Sequence, residues 1–346
     1  MEKLVYFYNQ GHEKHHEPGH PERPERVEAI VDALRENNYW DDYKKLEALV
    51  LPRPVLESIH RPDYLKVLKR TCEKGAHFDA DTYTTPASWE LAQHAAGGAA
   101  AVARSVWLGE AARGFALTRP PGHHATAERA MGFCLLNNIA LAADYLIQQQ
   151  GAKKLAIVDL DLHHGNGTQD IFYSRSDVLY ISTHQYPHYP GTGWINETGS
   201  GDGIYTNANL PMPPYCGDTE FKRGMDEFIL PILDRFEPEM LLISYGFDPH
   251  FADPLGSLQL TSGGYGELIR QLVTWTETCC QGRIALFLEG GYDLRAAEAC
   301  SLAVAAALLG EQFPDRYDQE MEKELDGESD VFISILQQTK KLWELA

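Results

Sequence analysis

The sequence predicts an α/β fold: a central, mostly parallel sheet with helices on both faces. Two observations carry this. Short apolar segments recur, each ending in a polar residue close to a glycine: 114–118, 155–161, 238–248 and 284–292. Helix-periodic or alanine-rich segments separate them, the pattern of a parallel sheet buried on both sides. Neither an internal repeat nor a linker interrupts the 346 residues, so one domain is expected over 1–346, closing with an acidic segment and a helix in 311–346.

Composition narrows the classes. Hydrophobic residues make up 44% and charged residues 23% of the chain, ordinary for a globular protein. The net charge of −20 argues against nucleic acid and favours cationic partners. Cys72, Cys134, Cys216, Cys279, Cys280 and Cys300 form no C-x-x-C pair and read as reduced thiols of a cytoplasmic protein. No signal peptide precedes the strand-like Val5–Tyr8, and no run approaches the ~18 apolar residues of a membrane span.

Val5–Tyr8 is the first strand. His12–Arg26, rich in histidine and proline, reads as a surface loop near the active site, too flexible to form a metal cluster. Pro24 suits the first turn of a helix to about Asn37. A helix is expected over 62–74, a loop over 79–86 and a long alanine-rich helix over 87–108. The strand 114–118 runs into Arg119-Pro-Pro-Gly-His-His-Ala125, whose prolines present His123 and His124 rigidly. Met131–Asn138 opens a helix to about Gln150.

Leu155–Gly167 begins as a buried strand and ends in a glycine-rich turn. Read as extended chain, Asp159, Asp161 and His163 share one face while Leu160 and Leu162 pack on the other. Burying such ionisable groups costs several kcal/mol unless they are paired or bind a metal. The Asp161/His163 pair suits a divalent cation but needs a third ligand; the alternative is a hydrogen-bonded core cluster.

A helix over 168–173 and a strand over 178–183 follow, then an aromatic, Gly- and Pro-rich loop over 185–202. The helix expected over 219–236 should kink at Pro231. The strand 238–248 ends in Asp248, and a loop over 249–256 leads to a helix over 261–279. The strand from Ile284 runs into Glu-Gly-Gly-Tyr292, before a helix over 293–309. Residues 315–330 read as a solvated acidic segment and 331–345 as a docked helix. His123/His124, Asp161/His163, Asp248 and Tyr292 thus all fall at carboxyl ends of strands, where open α/β sheets bind ligands.

The motifs R-P-P-G-H-H-A (119–125), G-F-C-x-x-N-N (132–138), D-L-D-L-H-H-G-N-G-T (159–168), G-F-D (246–248) and E-G-G-Y (289–292) occur in one order. Together they resemble a zinc-dependent histone deacetylase of the arginase–deacetylase superfamily, nearer its class II and bacterial members, over about residues 5–310. The resemblance implies a single-domain arginase–deacetylase-like fold. It also implies an amidohydrolase that removes acetyl or acyl groups from N-ε-acyl-lysine with metal-activated water.

Carried over by position, it makes Asp161, His163 and Asp248 the ligands of one zinc ion, with a coordination position left open. His124 becomes the general base, and His123, backed by Asp159, its electrostatic partner. Asn166 takes the place of an aspartate found in class I, which leaves His124 more readily neutral. Tyr292 would donate to the developing oxyanion. Phe133 and Tyr189 resemble the walls of an acyl-lysine tunnel with Gly132 at its floor, with ordinary core packing as the lesser alternative for both rings. Asp81 resembles a rim residue that accepts from substrate amides. A structural potassium ion is implied near Asp159, Asp161, His163, Ser182 and Thr183.

An acetylpolyamine amidohydrolase is the competing reading, suited by the −20 charge. A polyamine-specific relative carries glutamate where this chain has Leu255, which favours acyl-lysine. Glu13, Glu17, Glu22 and Glu25 of the first loop could instead grip a polyamine across a dimer, so a homo-oligomer is compatible with this reading. Arginase-type binuclear chemistry needs D-x-H-x-D, and Gly165 occupies the last place. Intact His124 and Tyr292 argue against a silent acyl-lysine binding module.

Overall fold

The computed structural model describes residues 1–312 and 329–345. Eight strands, β1 (Glu2–Tyr8), β2 (Lys44–Leu46), β3 (Ala111–Leu117), β4 (Leu155–Asp159), β5 (Val178–Gln185), β6 (Asn207–Met212), β7 (Met240–Tyr245) and β8 (Ile284–Leu288), form one sheet. Their order is β2-β1-β3-β8-β7-β4-β5-β6, and every pairing is parallel. The order explains how motifs far apart in the chain converge. The strands β3, β8, β7 and β4 are contiguous, and they lead respectively into His123/His124, Tyr292, Asp248 and Asp161/His163.

Side chains alternate across the sheet with a period of two. Ala156 and Val158 of β4 face one core, whereas Leu155 and Ile157 face the other. Helices α1 (Glu25–Glu36), α9 (Ser262–Cys279), α10 (Leu294–Leu309) and α11 (Asp330–Leu342) cover the first face. Helices α2 (Arg53–Ile59), α3 (Pro62–Glu73), α4 (Ser88–Trp107), α5 (Asn138–Gln150) and α6 (Asn166–Phe172) cover the second. The side chains of Asn137, Thr261 and Asp293 cap α5, α9 and α10, each accepting from a backbone N–H three residues on.

Several expectations need correction. The extended alternation stops at Asp159, because β4 ends there and Asp161 and His163 lie in the turn beyond it. Leu160 and Leu162 are nonetheless buried in the core. The helix over 219–236 is interrupted by a π-helical turn, Met225–Ile229, between α7 (Asp218–Gly224) and α8 (Leu230–Phe236). The wider turn directly precedes Pro231, which has no N–H to offer an α-helical bond.

His12–Arg26 is a surface loop only in part: Glu13, Lys14, His16, Pro18 and Gly19 are exposed, whereas His12, His15, Glu22 and Arg26 are buried. Strands β2 and β6 and helix α2 had no clear sequence signal. Most of the acidic segment, 315–328, lies outside the described residues. Among the described residues no helix is long and apolar enough to cross a membrane, and all six cysteines are free thiols. At the sheet margins, β2 has three residues, two of them lysines, while every residue of β6 is buried and its fifth is Pro211.

Candidate active site

The turn after β3 is built around a buried cation. Arg119 is inaccessible to solvent, and its Nε and Nη2 reach the Glu22 carboxylate at 2.7 and 3.1 Å. Its Nη1 and Nη2 donate to the carbonyls of His12 and His15 at 2.5 and 2.6 Å. The first loop is therefore pinned beneath this turn. Glu289, at the end of β8, accepts from Gly122 N at 2.6 Å and His123 N at 3.0 Å, holding the two histidines in place.

The two imidazoles lie with ring centroids 4.1 Å apart but have different partners. His123 Nδ1 lies 3.1 Å from Asp159 Oδ2, which also accepts from the Tyr180 hydroxyl at 3.0 Å. His124 Nδ1 lies 2.8 Å from Asn166 Oδ1. Burial disfavours charge on His123, yet the Asp161 and Asp159 carboxylates outweigh it and push the ring up to about 10. Burial pushes His124 well down, and charge on His123 and His163 pushes it further. Adjacent imidazoles pushed in opposite directions are an arrangement suited to acid–base chemistry.

Asp161, His163 and Asp248 offer ligand atoms that all lie within 4.8 Å of one another, and all three residues are buried. His163 Nδ1 lies 2.9 Å from Asp248 Oδ2 and 3.3 Å from Asp161 Oδ1. The remaining lone pairs are partly used by backbone donors, with Leu162 N reaching Asp248 Oδ1 at 3.0 Å and Gly290 N reaching Asp161 Oδ2 at 2.8 Å. Gly246 and Gly290 leave room for the carboxylates, since a Cβ on either would stand 2.0 and 2.6 Å from Asp161 Oδ2.

The electrostatics also call for a cation here. Burial, and next the Asp161 charge, push Asp248 up to about 7. Despite burial, hydrogen bonds to Asp161 and Asp248 push His163 up to about 9. Two buried carboxylates thus favour positive charge between them, in a one-nitrogen, two-oxygen donor set that fits zinc. Of the residues implied for potassium, Asp159 and Ser182 are register partners on β4 and β5. Ser182 Oγ bonds His184 Nδ1 at 2.9 Å, and Thr183 Oγ1 donates to the Asp159 carbonyl at 3.4 Å.

Above this cluster opens a cavity of about 500 Å³, lined among others by His124, His163, Tyr292, Gly132, Phe133, Tyr189, Asp81 and Leu255. His124, His163 and Tyr292 are buried, whereas Tyr189 is 44% exposed, so the first three side chains lie at the inner end. Phe133 meets Tyr292 edge-on at 5.8 Å, and Tyr189 meets His124 edge-on at 5.2 Å. Gly132 has a left-handed φ of 55°, and a Cβ there would stand 2.4 Å from the His124 ring. Having no Cβ, it lines the cavity and leaves room for His124. Burial holds the Tyr292 hydroxyl well above the usual phenol range, so it remains a donor. A second cavity of about 430 Å³ beside Tyr8 and Trp40 contains none of these groups.

The histone deacetylase domain family matches residues 20–308. The chain belongs to the histone deacetylase family. A probable deacetylase of Archaeoglobus fulgidus is 41% identical over 314 residues, covering 88% of this chain and 86% of that protein. The histone deacetylase-like amidohydrolase of Pseudomonas aeruginosa is 34% identical over 294 residues, covering 84% and 77%. The crystal structure of the HDA15 HD domain superposes with a TM-score of 0.89 at 34% identity, covering 99% of this chain and 94% of that one. The sheet and its helices are thus the arginase–deacetylase fold.

In this deacetylase-family chain several supporting residues escaped the sequence reading. Glu289 lay within a recognised motif but carried no role; its carboxylate orients the His123 turn. Arg26 donates to the carbonyls of Gly291 and Glu289 and places its guanidinium 4.9 Å from the Tyr292 ring centroid. The loop acids fare differently from expectation. Glu22 is consumed by Arg26 and Arg119, and Glu17 pairs with His77 at 2.9 Å, so Glu22 cannot grip a substrate cation.

Proposed function

We propose that the chain is a zinc-dependent amidohydrolase that removes acetyl or longer acyl groups from N-ε-acyl-lysine side chains. The observation that carries this is the convergence of His124, His163 and Tyr292 at the buried end of one aromatic-walled cavity. Zinc held by Asp161, His163 and Asp248 would supply a Lewis acid for the acyl carbonyl and lower the pKa of a water.

The chain's own side chains do the rest. With Nδ1 engaged by Asn166, neutral His124 keeps Nε2 to take a proton from the attacking water and return it to the leaving amine. His123 contributes positive charge beside it. The Tyr292 hydroxyl donates to the oxygen that gains charge as the carbonyl is attacked. Phe133 and Tyr189 pack on the methylenes of the lysine arm, and Asp81 accepts from substrate backbone amides at the rim. A potassium ion near Asp159, Asp161, His163, Ser182 and Thr183 is assigned a structural role.

Leu255, which lines the same cavity, presents no charge to the distal ammonium of an acetylated polyamine. The net charge of −20 is the feature that favours the polyamine substrate instead. The continuous sheet supports one deacetylase domain over the chain, and the free thiols support a reducing, cytoplasmic setting. Zinc-loaded protein should be assayed against acetyl-lysine peptides, longer acyl-lysine peptides and acetylspermidine. Higher kcat/KM on a lysine peptide is expected. Turnover of acetylspermidine alone would rename the substrate, and no amide hydrolysis at all would overturn the activity.

A further inference from the structure

Asp253 lies in the loop between β7 and α9 and is 5% exposed. Its Oδ2 accepts from Tyr292 N at 2.6 Å and from Asp293 N at 3.1 Å. Its Oδ1 accepts from Leu255 N at 3.0 Å. One buried carboxylate therefore ties the loop carrying Leu255 to the backbone of Tyr292. Asp293, the next residue, caps α10 by accepting from Ala296 N at 2.8 Å.

A buried carboxylate costs several kcal/mol unless donors surround it, and here all three donors are backbone N–H groups. The two residues before Tyr292 are glycines, Gly291 with a φ of 107°, and glycine leaves a turn free to shift. Arg26 holds the Gly291 carbonyl and Asp161 holds Gly290 N, while Arg26 and Phe133 pack on the Tyr292 ring; the backbone N–H of Tyr292 itself donates to Asp253. Asparagine cannot replace the carboxylate. With its oxygen toward Tyr292 and Asp293, its NH2 would face the N–H of Leu255; reversed, it would face the other two donors.

We propose that Asp253 is a positioning residue for Tyr292: it fixes the Tyr292–Asp293 backbone at the end of the glycine turn so that the hydroxyl stands where the oxyanion forms, and ties that placement to the Leu255 loop. The proposal rests on the oxyanion role of Tyr292 given above. A positional error of about 1 Å can cost on the order of 10²-fold in rate, so the effect should fall on kcat.

The test is a double-mutant cycle on the zinc-loaded full chain with an acetyl-lysine peptide, comparing wild type, D253N, Y292F and the double variant. D253N should lower kcat at least ~10-fold, leave KM within ~2-fold and retain the zinc content of wild type. In the Y292F background it should lower kcat by less than ~2-fold. An equal loss in both backgrounds, loss of zinc, or unchanged kcat in D253N overturns the positioning role while leaving Tyr292 in place. Unchanged kcat in Y292F alone overturns the oxyanion reading and the proposal with it. Should D253N fail to fold, D253S, which keeps one acceptor oxygen, replaces it in the same cycle.

Discussion

His124 directs Nδ1 at the side-chain carbonyl of Asn166, 2.8 Å away, a neutral partner where the adjacent His123 has the carboxylate of Asp159. The contrast predicts how the pH profile responds to substitution. A carboxylate at 166 would favour imidazolium at His124 and so raise its pKa. The base must be neutral to act, so Asn166→Asp should move the acid limb of kcat/KM to higher pH. An unmoved limb in a pH–rate series would remove His124 from the role of base.

Metal uptake should be stoichiometric and proton-linked. One zinc per chain is expected by elemental analysis, and none in Asp248→Ala, because only Asp161 and His163 would remain of the buried donor set. His163 in the metal-free chain holds a proton below about 9, and zinc must displace it. Affinity should therefore rise with pH through neutrality, with proton release visible by calorimetry in buffers of different ionisation enthalpy. Two metals per chain, or uptake without proton release, would contradict this.

Tyr292→Phe should lower kcat by about 10²–10³-fold, the ~2.7–4 kcal/mol typical of losing one oxyanion donor. Zinc content should not change, since the ring touches Phe133 and Arg26 rather than the three ligands. Metal loss in this variant would show that the tyrosine serves structure.

Leu255→Glu should shift preference toward acetylspermidine. A carboxylate facing a distal ammonium at reduced dielectric is worth a few kcal/mol, measurable as a change in the kcat/KM ratio of the two substrates. If wild type already prefers acetylspermidine, and neutralising Glu13, Glu17 and Glu25 abolishes that preference, selectivity resides in the first loop.

Stability should fall in acid in two stages. Burial pushes His15 down to about 3 and His12 and His60 down to about 4. His60 Nε2 also accepts from Asn137 N at 2.9 Å, a bond that protonation would break. Folded pKa values lie below the unfolded 6.5, so this stability is complete above pH 6.5 and declines as pH falls toward 3–4. Glu22 adds a later loss. Burial opposes its charge, but Arg119 and Arg26 hold it down at about 2, so its contribution fades as pH falls from the ordinary 4.5 toward 2. Urea midpoints measured from pH 7 to 3 should decline in that order, and His60→Gln should flatten the first stage.

The reactive groups could be read from the chain because each lies at the end of a strongly apolar strand, within a short motif. Asp161, His163 and Asp248 meet in space as the parallel-sheet pattern suggested, although the turn after Asp159, not strand alternation, brings Asp161 and His163 inward. What escaped detection depends on distant partners. The burial of His12, His15 and Glu22 follows from Arg119, 97 positions from Glu22, and no local pattern announces it. The roles of Glu289 and Asp253 are likewise bonds to backbone N–H groups, which any residue but proline offers. The strand β2 has only Lys44-Lys45-Leu46, and β6 mixes Asn207, Asn209 and Pro211 with its apolar residues, so neither shows a strand's alternation.

Those same two strands determine how copies of the chain could associate. Sheets fuse edge to edge only where a long, flat strand presents open N–H and C=O groups to a newcomer. At one margin here the strand is three residues long and carries two lysines; at the other it is fully covered and contains a proline. Both edges of the described sheet are thus blunted, which disfavours fusing two copies of this protein strand to strand and leaves helical and loop surfaces as the better places for contact between them.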